Sequence, residues 1–177
     1  VEEKFLNNGL MQVSNGKHLL IDHFRSRGEW GHGYTLFELL VAVAMVMTFT
    51  AIAIPAFQYY KDQARRSAAI ADMKSLELKI KVYEVNAGKL PDTLAEVPWG
   101  SLDPWGNPYQ YLNFASAGPS WKGKARKDKF LVPLNSTYDL YSAGKDGLSK
   151  PPLTAKTSQD DIVRANDGDY MGLASEY

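Results

Sequence analysis

Gly33-Tyr34-Thr35-Leu36-Phe37-Glu38-Leu39-Leu40-Val41-Ala42-Val43-Ala44-Met45-Val46-Met47-Thr48-Phe49-Thr50-Ala51-Ile52-Ala53-Ile54-Pro55-Ala56-Phe57-Gln58-Tyr59-Tyr60 is the stretch that decides the fold. After Glu38 no charge appears until Lys61. About 20 apolar residues in a helix rise about 30 Å, enough to cross a bilayer core. Thr48, Thr50 and Pro55 are compatible with such a helix, because Thr hydroxyls bond back to the preceding turn and one Pro removes one backbone bond. The apolar run covers all helix faces, which argues against a buried core helix. It also continues into helix-forming sequence with no small-residue cleavage site after it, which argues against a secretory signal peptide.

Working outward, the preceding residues 1–33 are polar and mixed in charge, with Arg25 and Arg27 close before the apolar run. Positive charge there favours a cytoplasmic location for that end. The chain as given begins at Val1, and Met11 is an internal candidate start. Beyond Lys61, Ile70, Met73, Leu76, Ile80 and Tyr83 recur at spacings of three and four, with Ala64, Ala68 and Ala71 as small surfaces. This is an amphipathic continuation that Asn86-Ala87-Gly88 should stop. One helix is therefore expected over about 34–87, bent or loosened at Pro55. Heptads are not sustained, so a soluble coiled coil fits poorly.

From Lys89 onward Gly, Pro and Asn punctuate short apolar runs. Asp103-Pro104-Trp105-Gly106-Asn107-Pro108 is a dense turn signal, and Tyr109–Leu112, Phe130–Leu134 and Tyr138–Ser142 read as short strands. The expected fold is α+β: a long N-terminal helix packed on a small antiparallel sheet. The basic stretch 121–129 carries Lys122, Lys124, Arg126, Lys127 and Lys129. With Trp121 as its one aromatic, it reads as a solvated hairpin tip rather than a nucleic-acid surface.

Composition restricts the chemistry. Acidic and basic residues number 20 each, so no general attraction to nucleic acid follows. There is no Cys, and the three His are His18, His23 and His32, all before the apolar run. If residues 1–33 are removed, the remaining chain has neither imidazole nor thiol, which excludes most nucleophile–base pairs and zinc sites. The reading is not an enzyme.

The segment Gly33-Tyr34-Thr35-Leu36-Phe37-Glu38 followed by the apolar run resembles the prepilin signal of type IV pilins and pseudopilins. Tyr34 stands where that family more often has Phe, and the leader is long. The resemblance implies cleavage by prepilin peptidase between Gly33 and Tyr34, and methylation of the new amine on Tyr34. A carboxylate inside a membrane costs roughly 2.5–3.5 kcal/mol on insertion scales, so Glu38 needs a partner. The amine freed at Tyr34 of one subunit can supply it to a neighbour's Glu38. The alternative is a glutamate snorkelling at the membrane edge.

Asp103 to Tyr111 together with Tyr138-Asp139-Leu140-Tyr141-Ser142-Ala143-Gly144-Lys145-Asp146-Gly147 is similar to the major pseudopilins of type II secretion systems, the general secretion pathway protein G family. The resemblance divides the chain into a leader (1–33), a membrane and polymerisation half-helix (34–60), an amphipathic half-helix (61–88) and a β head (89–177). It implies a filament subunit of a periplasmic pseudopilus that drives protein export. The anchor would be a single pass in the bacterial inner membrane, with the leader cytoplasmic and the head periplasmic. Implied partners are other copies of the chain, minor pseudopilins, prepilin peptidase, an inner-membrane assembly platform with its ATPase, and membrane lipid; nucleic acid is not expected. The alternative is a type IV pilus subunit for adhesion, motility or DNA uptake, which the lack of a disulfide disfavours.

Members of that family hold Ca2+ in the loop after the last strand. Carried over, the ligands are Asp146, Asp160, Asp161 and the backbone carbonyl of Ala143. Calcium takes six to eight oxygens, a demand that clustered Asp residues meet. Read alone, the same residues also make an Asp-Gly turn and a helix cap. Residues 148–159, with Lys150, Lys156 and two Pro, make this loop long.

Overall fold

The computed structural model describes residues 33–177, so the leader and its Arg and His residues lie outside the described residues. The chain divides into two compact units, Val1–Ala51 and Ile52–Tyr177. Helix α1, Leu36–Ala87, contributes to both.

In the first unit α1 is apolar and uncovered: Phe37, Leu39, Leu40, Met45, Val46, Met47 and Phe49 are all exposed. The helix is long and apolar enough to cross a membrane. The hydroxyls of Thr48 and Thr50 donate to the carbonyls of Met45 and Val46, each at 2.7 Å. These back-bonds are what makes a hydroxyl tolerable in an apolar surrounding.

In the second unit the helix runs on through Pro55 to Ala87. Gly88, at φ 70, ends it by donating its N–H to the Glu84 carbonyl at 2.8 Å, the left-handed stop for which glycine has no steric penalty. Ala69, Met73, Leu76 and Ile80 are the buried helix positions, a stripe at spacings of four, three and four. Ala64, Ala68 and Ala71 instead face solvent; the small-residue surface belongs to Ala69, one position along.

Four antiparallel strands form one sheet in the order β1 (Gln110–Asn113), β2 (Tyr138–Ser142), β3 (Ile162–Ala165) and β4 (Tyr170–Leu173). Sequential hairpin-like neighbours need no crossover, the simplest antiparallel arrangement. One face of the sheet packs Tyr138, Leu140, Ile162 and Leu173 on the α1 stripe. The opposite face packs Val163 and Ala165 with Leu134, Leu153 and Ala174. Both faces are thus covered, one by α1 and one by the connections around 125–135 and 150–158.

Three expectations need correction. Phe130–Leu134 is not a strand; it carries bends, with one isolated bridge between Asp128 and Leu131. Pro133 lacks a donor for a ladder and Lys129, at φ 40, turns the chain. The sheet instead recruits two strands from the C-terminal tail. Finally, 121–129 is not a solvated hairpin tip. Trp121–Lys124 is a single helical turn, its Trp121 ring stacked on Phe114 at 4.4 Å between centroids, and Arg126 after it is only 2% exposed.

Candidate functional site

At the start of α1, Glu38 folds back on its own helix end. Its Oε2 accepts from the backbone N–H of Thr35 at 2.8 Å and from the Thr35 hydroxyl at 3.0 Å. The Glu38 N–H in turn donates to Thr35 Oγ1 at 3.1 Å. This is a reciprocal capping box, which satisfies amides that the first helical turn leaves free. Its sequence signal is the Thr-x-x-Glu spacing before an apolar run, a second meaning of the same glutamate that reads as a membrane charge. Tyr34, immediately before, is 89% exposed, and a Cβ added at Gly33 would meet nothing within 4 Å. Among the described residues nothing therefore crowds the Gly33–Tyr34 peptide.

In the second unit the two turn motifs, distant in sequence, come together. Asp103 is buried and organises its own turn: Oδ1 accepts from the N–H groups of Trp105 at 3.0 Å and Asn107 at 2.7 Å. Its Oδ2 accepts from the Ser142 hydroxyl at the end of β2 at 2.5 Å. Asn107 Nδ2 donates to the Gly144 carbonyl at 3.0 Å. Gly144 sits at φ +64, where a Cβ would collide with the Asp160 carbonyl. The Asp-Pro-Trp-Gly-Asn turn thus docks on the Ser-Ala-Gly-Lys-Asp-Gly turn through a buried carboxylate.

The four residues suggested for calcium have separate surroundings. Asp160 and Asp146 are neighbours: Asp160 Oδ2 accepts from the N–H groups of Lys145 at 2.8 Å and Asp146 at 3.1 Å. Asp146 Oδ1 closes its own turn by accepting from Leu148 N–H at 2.7 Å. Asp161 turns into the protein, fully buried, where Oδ2 pairs with Arg126 Nη2 and accepts from the Ser149 hydroxyl at 2.6 Å. Its Oδ1 has no partner, and Ala143 lies buried beside Gly144. Burial pushes the Asp161 carboxyl up to about 6, opposed by the Ser149 hydroxyl and the Arg126 guanidinium. Among the described residues no three carboxylates group as a metal site. As one coordination sphere, these residues do not fit a calcium ion.

Sequence reasoning missed the polar residues that hold the sheet. Arg164 on β3 donates from Nε to Glu77 Oε1 on α1 at 2.8 Å and stacks on Tyr138 with 4.2 Å to the ring centroid. On the opposite face Asp139 accepts from Asn135 Nδ2 at 2.8 Å and from the Arg126 N–H at 2.6 Å. Burial raises the Asp139 pKa, and these donors pull it back.

Comparison with known proteins places this geometry. The chain is 28% identical over 137 residues to the type II secretion system core protein G of Pseudomonas aeruginosa, covering 65% of this chain and 84% of that protein. Over about two thirds of its length the chain is similar to core protein G. The core protein G of Pectobacterium carotovorum is 26% identical over 148 residues, covering 70% of this chain and 83% of that relative. A type IV major pilin of Neisseria gonorrhoeae is 37% identical over 60 residues, 34% of this chain and 36% of the pilin. No family model and no solved structure matches the chain. These relatives are named as a secretion-system core protein and a major pilin, not as enzymes.

Proposed function

We propose that the chain is a pseudopilin of a type II secretion-like machine, processed after Gly33 and polymerised through its apolar half-helix. The observation that carries this reading is the contrast along α1: the stripe from Ala69 to Ile80 is buried by the sheet, whereas the large apolar residues from Leu36 to Tyr60 are exposed, Val41 partly so. Exposed apolar surface of that extent requires lipid before assembly or neighbouring helices after it. A single pass in the inner membrane with the head outside the cytoplasm supplies the first; a filament supplies the second. The similarity to core protein G over about two thirds of the chain supports a pseudopilin over a surface pilus subunit, for which the match extends over 34%.

In the filament the methylated amine of Tyr34 pairs with Glu38 of a neighbouring subunit. Within one chain Glu38 already caps the helix through Thr35, so substitution by Ala alone removes both roles. Gln keeps a capping side chain and removes the charge. The discriminating experiment compares Glu38→Gln with wild type for filament formation by cross-linking in cells that process the precursor. Loss of filaments in Glu38→Gln, with cleavage retained, supports the charge pair. Filaments at wild-type level would reduce Glu38 to a helix cap.

A further inference from the structure

The connection between β2 and β3, residues 143–161, has no disulfide available and no grouped metal ligands among the described residues. Yet its residues are held in place. The agent is Arg126, which enters from the sheet face opposite α1.

The guanidinium reaches the connection at three places. Nη1 donates to Ser149 Oγ at 2.5 Å and to the Lys150 carbonyl at 2.7 Å, and Nη2 pairs with Asp161 at the end of the connection. Its plane lies over Tyr141 of β2, 4.3 Å from the ring centroid. The backbone on either side adds a ladder: Lys127 N–H donates to the Pro151 carbonyl at 3.0 Å and Leu153 N–H to the Lys127 carbonyl at 2.9 Å. Arg126's own N–H is taken by buried Asp139. A guanidinium is always charged and presents donors in a fixed plane, so one group can serve a hydroxyl, a carbonyl and a carboxylate on separate segments.

We infer that Arg126 is the cation that closes the 143–161 connection, in place of a bound divalent ion. Each nearby carboxylate is engaged within the chain through one oxygen, Asp161 Oδ1 being left without a partner. Asp161 holds Arg126, Asp160 accepts the amides of Lys145 and Asp146, and Asp146 closes its own turn. Lysine has the charge without the fork and serves poorly here. Arg126 closes the loop whether or not the chain polymerises.

The test is hydrogen exchange read by mass spectrometry on the full chain in detergent micelles, with calcium or with a chelator. In wild type, protection of amides 148–158 should be the same in both conditions. In Arg126→Met and in Arg126→Lys those amides should exchange faster, by about 100-fold for Met, while amides 69–80 of α1 stay protected. Protection of 148–158 in wild type that is lost with the chelator overturns the inference. So does an Arg126→Met protein with unchanged loop protection. If Arg126→Met loses protection in α1 as well, the wild-type comparison and Arg126→Lys decide the matter without it.

Discussion

Glu77 on α1 accepts a 2.8 Å hydrogen bond from Nε of Arg164 on β3, joining two residues 87 positions apart across the helix–sheet interface. The Arg164 guanidinium also reaches the Asn135 side chain at 3.2 Å and the Tyr138 carbonyl at 3.3 Å, and it is only 5% exposed. The apolar stripe of α1 supplies burial, and this pair fixes how the helix lies against the strands.

Removing Glu77 leaves the buried Arg164 guanidinium with only a longer, 3.8 Å pair to half-exposed Asp167. Glu77→Ala should therefore destabilise the protein by about 3 kcal/mol or more, read as a shift in the denaturant midpoint. The double variant Glu77→Met/Arg164→Met should lie nearer wild type than the Glu77 single variant, because no unpaired charge remains. A double variant as unstable as the sum of the singles would show that the two residues act independently.

The pair between Lys145 and Asp62, 2.8 Å apart, makes a contrast, since Lys145 is 61% exposed. Lys145→Ala should leave the denaturant midpoint nearly unchanged, with less effect again in high salt. Lys145 lowers the Asp62 pKa through its hydrogen bond. A carboxylate with a lowered folded-state pKa adds stability above its unfolded value and loses it as pH falls through the folded value. Wild type and Lys145→Ala should accordingly converge in acid; a difference that grows as pH falls would contradict the assignment.

Gly144 and Gly118 both have positive φ, at +64 and +71, but only Gly144 faces an obstacle. Gly118→Ala should cost about 1 kcal/mol, a backbone penalty without a clash. Gly144→Ala must also displace the Asp160 carbonyl and with it the docked turns, so its denaturant midpoint should fall much further. Equal effects at the two positions would mean that the close approach relaxes freely.

Leu76 is fully buried in the core stripe, whereas Phe130 is fully exposed. Leu76→Ala should cost about 2–5 kcal/mol, and Phe130→Ser should leave the denaturation midpoint within about 0.5 kcal/mol of wild type. A large loss at Phe130 would place that ring in an unrecognised contact.

The long helix was legible because its evidence is periodic and local: an uncharged run, then Met73, Leu76 and Ile80 on one face, then Gly88. Strands β1 and β2 were legible from aromatic alternation beside a dense turn. Strand β3 was not. All four of its residues are buried, since both sheet faces are covered, so Ile162-Val163-Arg164-Ala165 shows no alternation and includes a charge. Arg126 was hidden for a related reason. Among five basic residues in a row of nine its sequence context is that of a solvated charge, and only the fold brings Asp161 to it, 35 positions away. The Thr35–Glu38 cap was present in the sequence as Thr-x-x-Glu spacing, but seeing it required reading the same glutamate a second way.

The central claim is that this chain is a pseudopilin precursor whose mature form begins at Tyr34. Its most direct test is the intact mass and N-terminal sequence of the protein recovered from membranes of cells that contain a prepilin peptidase. The account predicts a chain starting at a methylated Tyr34, with residues 1–33 absent. A chain retaining its leader, or cut elsewhere than after Gly33, would contradict it.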